Sequence, residues 1–351
     1  MNNKPKVSIL CITYNHEKYM QQALESFVMQ KTNFNYEVII GDDCSTDNTQ
    51  KIIREYEKKY PKIIKPVYRK KNIGIMNNLK DLFIKASGEY ISLCEGDDFF
   101  TDKNKLQIQV DFLDKHTNYS MCFHPVKVFF ENNEDKEFIY PYPDQAYKFT
   151  TIELLKNNFI PNNSVLYRNQ NTYDKIPTNI LPGDWYLHLY HAKVGKIGFI
   201  NKIMASYRKH NNGLWWNYGK NMNQTLIKFG YQQLSMYFEL IKLFNHKSKY
   251  KEPVFNNIDY VFNKLIEIDK TDDTKLVEKI LKNFPSQMAE YFISFNKVPN
   301  LITYQPKYID EQLEELKVIT DSKLYKIWPL YTKFKKTFFK IIHKFKNNVQ
   351  K

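Results

Sequence analysis

The chain has 351 residues, of which 42% are hydrophobic and 26% charged, and its formal net charge is +14. This length is sufficient for one large domain or two ordinary ones, and the composition excludes a chain that is disordered throughout. No apolar run reaches the roughly 18 residues that a membrane-spanning helix requires, so we expect no such helix. The polar N-terminus leads straight into a strand pattern, which argues against a cleaved signal peptide.

The four cysteines, Cys11, Cys44, Cys94 and Cys122, lie far apart and form no CxxC pair. This spacing excludes a disulfide scaffold and a cysteine-based zinc site, and it is typical of a reducing compartment. We therefore expect a cytoplasmic protein.

Half of the excess positive charge lies in residues 331–351, which contain seven lysines and no acidic residue. Apolar residues recur there at helical spacing, so we predict a basic amphipathic helix over residues 323–351. Such a helix is attracted to anionic lipid, which would make the protein peripheral on the cytoplasmic face of the inner membrane. A terminal helix that packs on its own protein explains the same pattern equally well.

Strand and helix patterns alternate from Lys6 to about Cys122. Short apolar runs predict strands at Val7–Ile12, Tyr36–Ile40, Ile63–Tyr68 and Tyr90–Cys94. Apolar residues at helical spacing predict helices at Tyr19–Gln30, from about Thr49, and at Met76–Ala86. This series predicts a doubly wound, mainly parallel α/β sheet, in which ligands bind beyond the carboxyl ends of the strands.

The rest of the chain is less regular. Asp47 and Gln50 have the spacing of a capping box for the second helix, and residues 131–148 are polar and aperiodic, which predicts a surface loop. Residues 221–321 have a helical pattern. We therefore expect an α/β domain over 1–220, a helical region over 221–322 and the basic helix over 323–351.

Acidic clusters follow two of the predicted strands, at Asp42-Asp43 and at Glu95-Gly96-Asp97-Asp98. Both should lie at the same edge of the sheet, where converging carboxylates repel one another unless a cation neutralises them. Oxygen ligands without cysteine favour Mg²⁺ or Mn²⁺, and a nucleotide diphosphate is the natural ligand of such a metal. Either cluster alone could simply cap a helix, but two at one edge favour a binding site.

Three segments in this order resemble family 2 glycosyltransferases of the GT-A fold. They are VSILCITYNH at residues 7–16, EVIIGDDCSTD at 37–47 and LCEGDD at 93–98. The resemblance is close over about the first 120 residues and implies binding of a nucleotide sugar. It implies that Thr13, Tyr14 and Asn15 contact the nucleoside and that Asp43 binds the base, while Asn78 matches a loop beside the nucleotide.

The resemblance also assigns the second cluster. Glu95 and Asp97 occupy the two ends of the family's D-x-D motif, although Glu replaces the first Asp. Asp97 corresponds to the metal ligand, Asp98 extends the cluster, and His210 resembles the C-terminal histidine that joins the metal. We therefore expect Mn²⁺ or Mg²⁺ at Asp97 and His210.

Asp184 stands at the start of an apolar helical pattern, in Leu181-Pro182-Gly183-Asp184-Trp185. It resembles the family's late acidic motif, whose carboxylate deprotonates the acceptor. The alternative is that Asp184 only caps the helix. Together with the upstream motifs, the resemblance implies that Asp184 is the catalytic base.

The resemblance thus implies a metal-dependent inverting glycosyltransferase. A nucleotide sugar, most often UDP-linked, would donate to a glycan or lipid-linked acceptor in bacterial surface polysaccharide or lipopolysaccharide synthesis. A catalytically degenerate nucleotide-sugar-binding module and a nucleotidyltransferase are the alternatives. The loop after the first strand, Thr13 to His16, is neither glycine-rich nor basic, which argues against a nucleotidyltransferase. The acidic crevice would repel nucleic acid, so we expect no such partner.

Overall fold

The computed structural model describes residues 4–131, 135–142, 148–211, 213, 221–272 and 275–294. The chain forms two compact units, one of Met1–Lys220 with Glu239–Val254 and the other of Asn221–Phe238 with Phe255–Lys351. The basic helix expected over residues 323–351 lies outside the described residues.

Seven strands form the central sheet of the first unit. They are β1 (Val7–Thr13), β2 (Tyr36–Asp42), β3 (Ile64–Tyr68), β4 (Tyr90–Leu93), β6 (Tyr119–Phe123), β9 (Leu166–Arg168) and β10 (Lys196–Phe199). Their order is β10-β6-β9-β4-β1-β2-β3, and β9 runs antiparallel between β4 and β6. The other pairs are parallel. The predicted mainly parallel α/β sheet is confirmed.

Six helices accompany these strands. They are α1 (Met20–Val28), α2 (Thr49–Lys59), α3 (Ile75–Lys85), α4 (Lys105–Lys115), α5 (Thr151–Lys156) and α6 (Gly183–Ala192). The first three confirm the predicted helices. The predicted capping box is wrong, because the Gln50 side chain donates a 2.6 Å hydrogen bond to Oδ2 of Asp42 instead of turning back to the helix start.

A second, smaller sheet lies beside the first. Its strands are β5 (Phe99–Phe100), β7 (Val126–Phe130), β8 (Phe138–Tyr140) and β11 (Ala205–Lys209), in the order β5-β11-β7-β8. The prediction of a loop over residues 131–148 is wrong in part, because β8 lies within it and pairs with β7. The aromatic rings of Phe138 and Tyr140 pack against the hydrophobic core, which explains why this short polar segment forms a strand.

The core lies between the central sheet and its helices. Every residue of β1 is buried, as expected for a central parallel strand covered on both faces. From α1, Met20, Leu24 and Phe27 are fully buried in the same cluster. This packing holds the carboxyl end of β1 in place, where the first predicted site residues lie.

The region after residue 220 is helical in the part that the structure describes, as predicted. Its helices are α7 (Met222–Leu243), α8 (Ser248–Asp272), α9 (Leu276–Asn283) and α10 (Pro285–Ser294). Among the helices described along the chain, none combines the length and the apolar character needed to cross a bilayer.

Candidate active site

The candidate site lies where β1 and β4 end side by side. We call Glu95–Asp98 the acidic segment. The Gly96 amide donates a 3.0 Å hydrogen bond to the Ile12 carbonyl, which joins the acidic segment to the end of β1. A Cβ at Gly96 would lie 2.7 Å from Oγ1 of Thr13 and 3.0 Å from Nδ1 of His16. Only glycine therefore lets Glu95 and Asp97 come this close to the loop after β1.

Asp97 lies between two histidines. Its Oδ2 is 3.0 Å from Nε2 of His210 and 3.9 Å from Nε2 of His16. Burial raises the pKa of the Asp97 carboxyl, but the charge of His16 and the hydrogen bond from His210 outweigh burial and lower the pKa overall. Asp97 is therefore ionised. His16 has no predicted role, although it lies within the first motif.

Several polar atoms at this point have no partner. Among the described residues, no hydrogen bond reaches the buried atoms Oδ1 of Asp97, Nδ1 of His210, Nδ1 of His16 or Oγ1 of Thr13. A carboxylate oxygen and an imidazole nitrogen are donors that suit Mn²⁺, and the oxygen also suits Mg²⁺. Asp97 and His210 therefore fit a divalent cation. Within the described part of the chain, no three His, Cys, Asp or Glu side chains form a metal cluster, so other ligands would have to complete the shell.

Glu95 and Asp98 have different environments. Oε1 of Glu95 accepts a 2.9 Å hydrogen bond from the Asn162 amide, and burial, together with the charges of Asp97 and Asp184, raises the Glu95 pKa to about 8. Asp98 is buried, and its Oδ1 accepts a 2.8 Å hydrogen bond from the backbone N–H of Arg208. Burial and then Asp97 raise the Asp98 pKa well above its ordinary value. Asp98 thus faces β11 and anchors that strand to the acidic segment.

Four residues with predicted nucleoside contacts lie together at the ends of β1 and β2. The backbone N–H of Asp43 donates to the Thr13 carbonyl (2.9 Å), and Tyr14 is 44% exposed. Asn15 has a positive φ of 56°, and its Oδ1 accepts a 2.8 Å hydrogen bond from the backbone of Thr46. These contacts hold the two strand ends together and leave the Tyr14 ring exposed beside them.

The carboxylate of Asp43 organises the loop before α3. Its two oxygens accept hydrogen bonds from the backbone N–H groups of Ile73 (2.8 Å) and Gly74 (2.9 Å). Gly74 has a φ of +85°, a conformation that favours glycine. Each carboxylate oxygen can accept a second hydrogen bond, so Asp43 keeps acceptor capacity for a ligand.

Asn78 lies behind this loop and is only 1% exposed. Its Nδ2 donates to the Gly41 carbonyl (2.7 Å), and its Oδ1 accepts from Nε of Arg69 (3.2 Å). A Cβ at Gly41 would lie 2.3 Å from that Oδ1. Both polar atoms of the Asn78 amide are therefore hydrogen-bonded within the protein, and they stabilise the loop.

Asp184 lies in the first turn of α6, after Pro182, which is the N-cap residue and makes no side-chain capping bond. Its Oδ2 accepts a 3.1 Å hydrogen bond from Nδ2 of Asn158. Burial raises the Asp184 pKa, and hydrogen bonds from the backbone and from Asn158 oppose this only in part. A Cβ at Gly183 would lie 1.9 Å from Sδ of Met76, so glycine at this position lets α6 start against α3.

Two further residues, Asn158 and Asn162, contact the predicted carboxylates and were missed by sequence reasoning. Asn158 contacts Asp184, and Asn162 contacts Glu95. Asparagine between a helix and a short strand is common in turns, so the sequence carries no signal that separates these two from others. Arg208, by contrast, donates to the backbone carbonyl of Asp97 (3.0 Å) and lies over the Tyr19 ring, where it stabilises the acidic segment.

Comparison with known proteins gives the family. Residues 8–180 match the family described as Glycosyl transferase family 2. An uncharacterized protein of Mycobacterium tuberculosis is 48% identical over 212 residues, which are 60% of either chain. The chain thus spans about 60% of the length of the first curated relatives that it matches.

A second relative is the putative teichuronic acid biosynthesis glycosyltransferase TuaG of Bacillus subtilis. It is 29% identical over 234 residues, 64% of this chain and 87% of TuaG. The crystal structure of residues 1–349 of Staphylococcus aureus TarS in complex with UDP-GlcNAc covers 82% of this chain and 80% of that fragment, with a TM-score of 0.55 and 17% identity. That likeness shows the fold. Residues 8–180 thus belong to glycosyl transferase family 2, and the fold is the GT-A fold.

Proposed function

We propose that the chain is a metal-dependent inverting glycosyltransferase of bacterial cell-surface glycan synthesis. It would transfer a sugar from a UDP-linked donor to a hydroxyl of a glycan or lipid-linked acceptor. One observation carries the proposal: Asp97 and Asp184 both lie close enough to Glu95 to raise its pKa. Because Asp97 pairs with His210, the metal-binding pair and the base would lie around one carboxylate. Residues 1–220 would form the catalytic domain.

The relatives support the donor and the pathway class. TuaG is described as a teichuronic acid biosynthesis glycosyltransferase, and TarS was crystallised with UDP-GlcNAc. The exposed ring of Tyr14 and the acceptor oxygens of Asp43 would receive the nucleoside of the donor. A planar base can stack on a tyrosine ring, and a uracil N–H can donate to a carboxylate oxygen.

Asp97 and His210 would hold Mn²⁺ or Mg²⁺. When bound, the cation supplies positive charge that stabilises the departing nucleotide diphosphate. Asp97 is suited to this role because it is ionised and its Oδ1 has no partner among the described residues. Arg208 and Asp98 hold the acidic segment against β11, which keeps Asp97 beside His210.

Asp184 would act as the general base. It accepts the proton of the acceptor hydroxyl while that oxygen attacks the anomeric carbon, and the bond from this carbon to the diphosphate breaks. The product is a glycoside of inverted configuration together with the free nucleotide diphosphate. Because burial raises the Asp184 pKa, its carboxylate is a stronger base than an exposed aspartate.

The proposal is tested by nucleotide binding and turnover. Thermal unfolding with UDP, GDP, CDP, ADP and dTDP, each with and without Mn²⁺, should show a metal-dependent stabilisation with UDP. UDP release from UDP-glucose, UDP-galactose and UDP-N-acetylglucosamine should then be abolished by Asp184→Asn and unaffected by the exposed control Asp174→Asn. Binding without any release of UDP would instead favour the catalytically degenerate module.

Membrane contact is a separate part of the proposal, and it rests on residues 323–351, outside the described structure. A basic amphipathic helix there would bring the enzyme to an anionic surface that carries lipid-linked acceptors. Flotation with phosphatidylglycerol vesicles should be lost when the chain is cut before Leu330. Unchanged flotation of the shortened chain would contradict membrane binding through this segment.

A further inference from the structure

One short stretch, Asn158–Ser164, contacts all three parts of the candidate site. We call it the asparagine segment. Nδ2 of Asn158 donates to Asp184, and Nδ2 of Asn162 donates to Glu95. Nδ2 of Asn163 donates a 2.8 Å hydrogen bond to the Ser206 carbonyl on β11, the strand that leads to His210.

The segment is firmly held at its C-terminal half. Both the backbone N–H and the hydroxyl of Ser164 donate to the Pro161 carbonyl, at 3.0 and 2.7 Å. Nε2 of Gln109 donates to the Ser164 carbonyl (2.8 Å), and Asn163 and Ser164 are buried. The backbone at Asn162 is therefore fixed, and its side chain is presented to the crevice from a rigid support.

One of the two polar atoms of the Asn162 side chain, Oδ1, has no hydrogen-bond partner among the described residues. Its Nδ2 is bonded to Glu95, but its Oδ1 is shielded from water and accepts no hydrogen bond from any described residue. A buried acceptor without a hydrogen-bond partner destabilises the folded chain, so such an atom needs an explanation. A ligand group that donates a hydrogen bond would supply the missing partner.

The position of Asn162 indicates which part of the ligand would donate this hydrogen bond. In the proposed reaction, the transferred sugar lies between the diphosphate, near Asp97, and the acceptor hydroxyl, near Asp184. The charges of Asp97 and Asp184 both raise the Glu95 pKa, so Glu95 lies near both. Asn162 is hydrogen-bonded to Glu95. Asn162 therefore lies beside the place that the sugar must occupy.

We propose that Oδ1 of Asn162 accepts a hydrogen bond from a hydroxyl or amide N–H group of the sugar being transferred. This inference rests on the proposed function. It makes Asn162 a substrate-binding residue that discriminates a sugar nucleotide from the bare nucleotide, because UDP lacks the group that donates to it.

The test compares Asn162→Ala with the wild-type chain in binding titrations with Mn²⁺. The probes are UDP and whichever of UDP-glucose, UDP-galactose and UDP-N-acetylglucosamine the wild type binds most tightly. We expect the Kd of the sugar nucleotide to rise about five- to tenfold, which is the loss of one hydrogen bond, while the Kd of UDP changes less than about twofold. Retained UDP binding also shows that the variant is folded.

The matched control is Asn169→Ala. The Asn169 amide likewise donates one hydrogen bond, to the Gly88 backbone carbonyl (2.8 Å), but it lies at the opposite end of the sheet. This variant should leave both affinities unchanged.

Three outcomes would overturn the inference. Two unchanged Kd values would show that Asn162 does not contact the sugar, and an equal rise of both Kd values would assign the effect to Glu95. Unchanged donor binding with a raised KM for the acceptor would place the contact on the acceptor side. Failure of the wild type to bind any of the nucleotides would instead contradict the proposed function itself.

Discussion

Nε2 of His210 lies 3.0 Å from Oδ2 of Asp97, although 113 positions separate the two residues in the chain. The contact depends on the second sheet, in which β11 pairs with β5 just after Asp97. The Asp98 carboxylate reinforces it by accepting the backbone N–H of Arg208. The proposed metal-binding pair is therefore a product of tertiary structure, and it can be disturbed from either strand.

Removing either member of this pair should abolish the effect of metal on nucleotide binding. We expect that UDP with Mn²⁺ stabilises the wild type, by about 2.7 kcal/mol at 100 times its Kd. In Asp97→Asn and His210→Ala this gain should fall to the value measured without metal. Thermal unfolding checks the prediction, with His116→Ala, on the far end of α4, as the control. A full Mn²⁺ effect in both variants would contradict the assignment.

Asp184→Asn should separate catalysis from binding. Loss of a general base lowers kcat by about 10²- to 10⁴-fold, whereas the donor affinity should stay within about twofold. The melting temperature should not fall, because a neutral amide replaces a carboxyl whose ionisation is opposed by burial. Single-turnover kinetics and thermal unfolding measure the two effects. A kcat close to that of the wild type would exclude Asp184 as the base.

The pH dependence of kcat should follow the ionisation of Asp184. A base acts only when it is deprotonated, so kcat should fall as the pH drops through the Asp184 pKa, which burial holds above the usual value of about 3.9. The hydrogen bond from Asn158 lowers this pKa, so Asn158→Ala should raise it further and move the acid limb to higher pH. Profiles of kcat at saturating donor measure the shift. An acid limb that stays in place would contradict the positioning role of Asn158.

Lys105 should make stability depend on pH. It is fully buried at the start of α4, and burial lowers its pKa to about 7. The unfolded chain binds this proton more strongly, so the free energy of unfolding should rise as the pH rises from about 7 towards 10.4. Lys105→Met removes this dependence. Its stability relative to the wild type should decrease by about 2–3 kcal/mol between pH 6 and pH 9.

Urea unfolding at both pH values measures this difference. The exposed Lys115→Met, on the same helix, is the control and should shift stability equally at both. The prediction would be contradicted if the free energies of unfolding of Lys105→Met and the wild type differed by the same amount at both pH values, whatever the sign of that difference.

The first half of the sheet follows from local patterns, whereas the second sheet does not. β1 is a continuous apolar run, β2 to β4 are short segments rich in apolar or β-branched residues, and amphipathic helices separate the four strands. β5 has only two residues and pairs with β11, more than 100 positions later, and β8 has only three residues within a polar stretch. Local periodicity carries no information about such pairs.

The same reasoning explains which site residues were predictable. Asp97 and Asp184 stand out because acidic residues follow a strand or open a helix within recognisable motifs. His16 and Asn162 gain their significance only from what lies opposite them, at Asp97 and at Glu95. The predicted capping box is wrong for a related reason, because the Gln50 side chain donates a hydrogen bond to Asp42 outside its own helix.

The place of β9 in the central sheet has a consequence for synthesis of the chain. β9 lies between β4 and β6, so the parallel group β3-β2-β1-β4 ends in an open edge until residues 166–168 pair with it. Closing such a long loop is slow, and an open strand edge invites pairing with other chains. The asparagine segment immediately precedes β9. The emerging chain must therefore pass residue 168 before the free edge of β4 is paired, and the asparagine segment takes its position in that same late step.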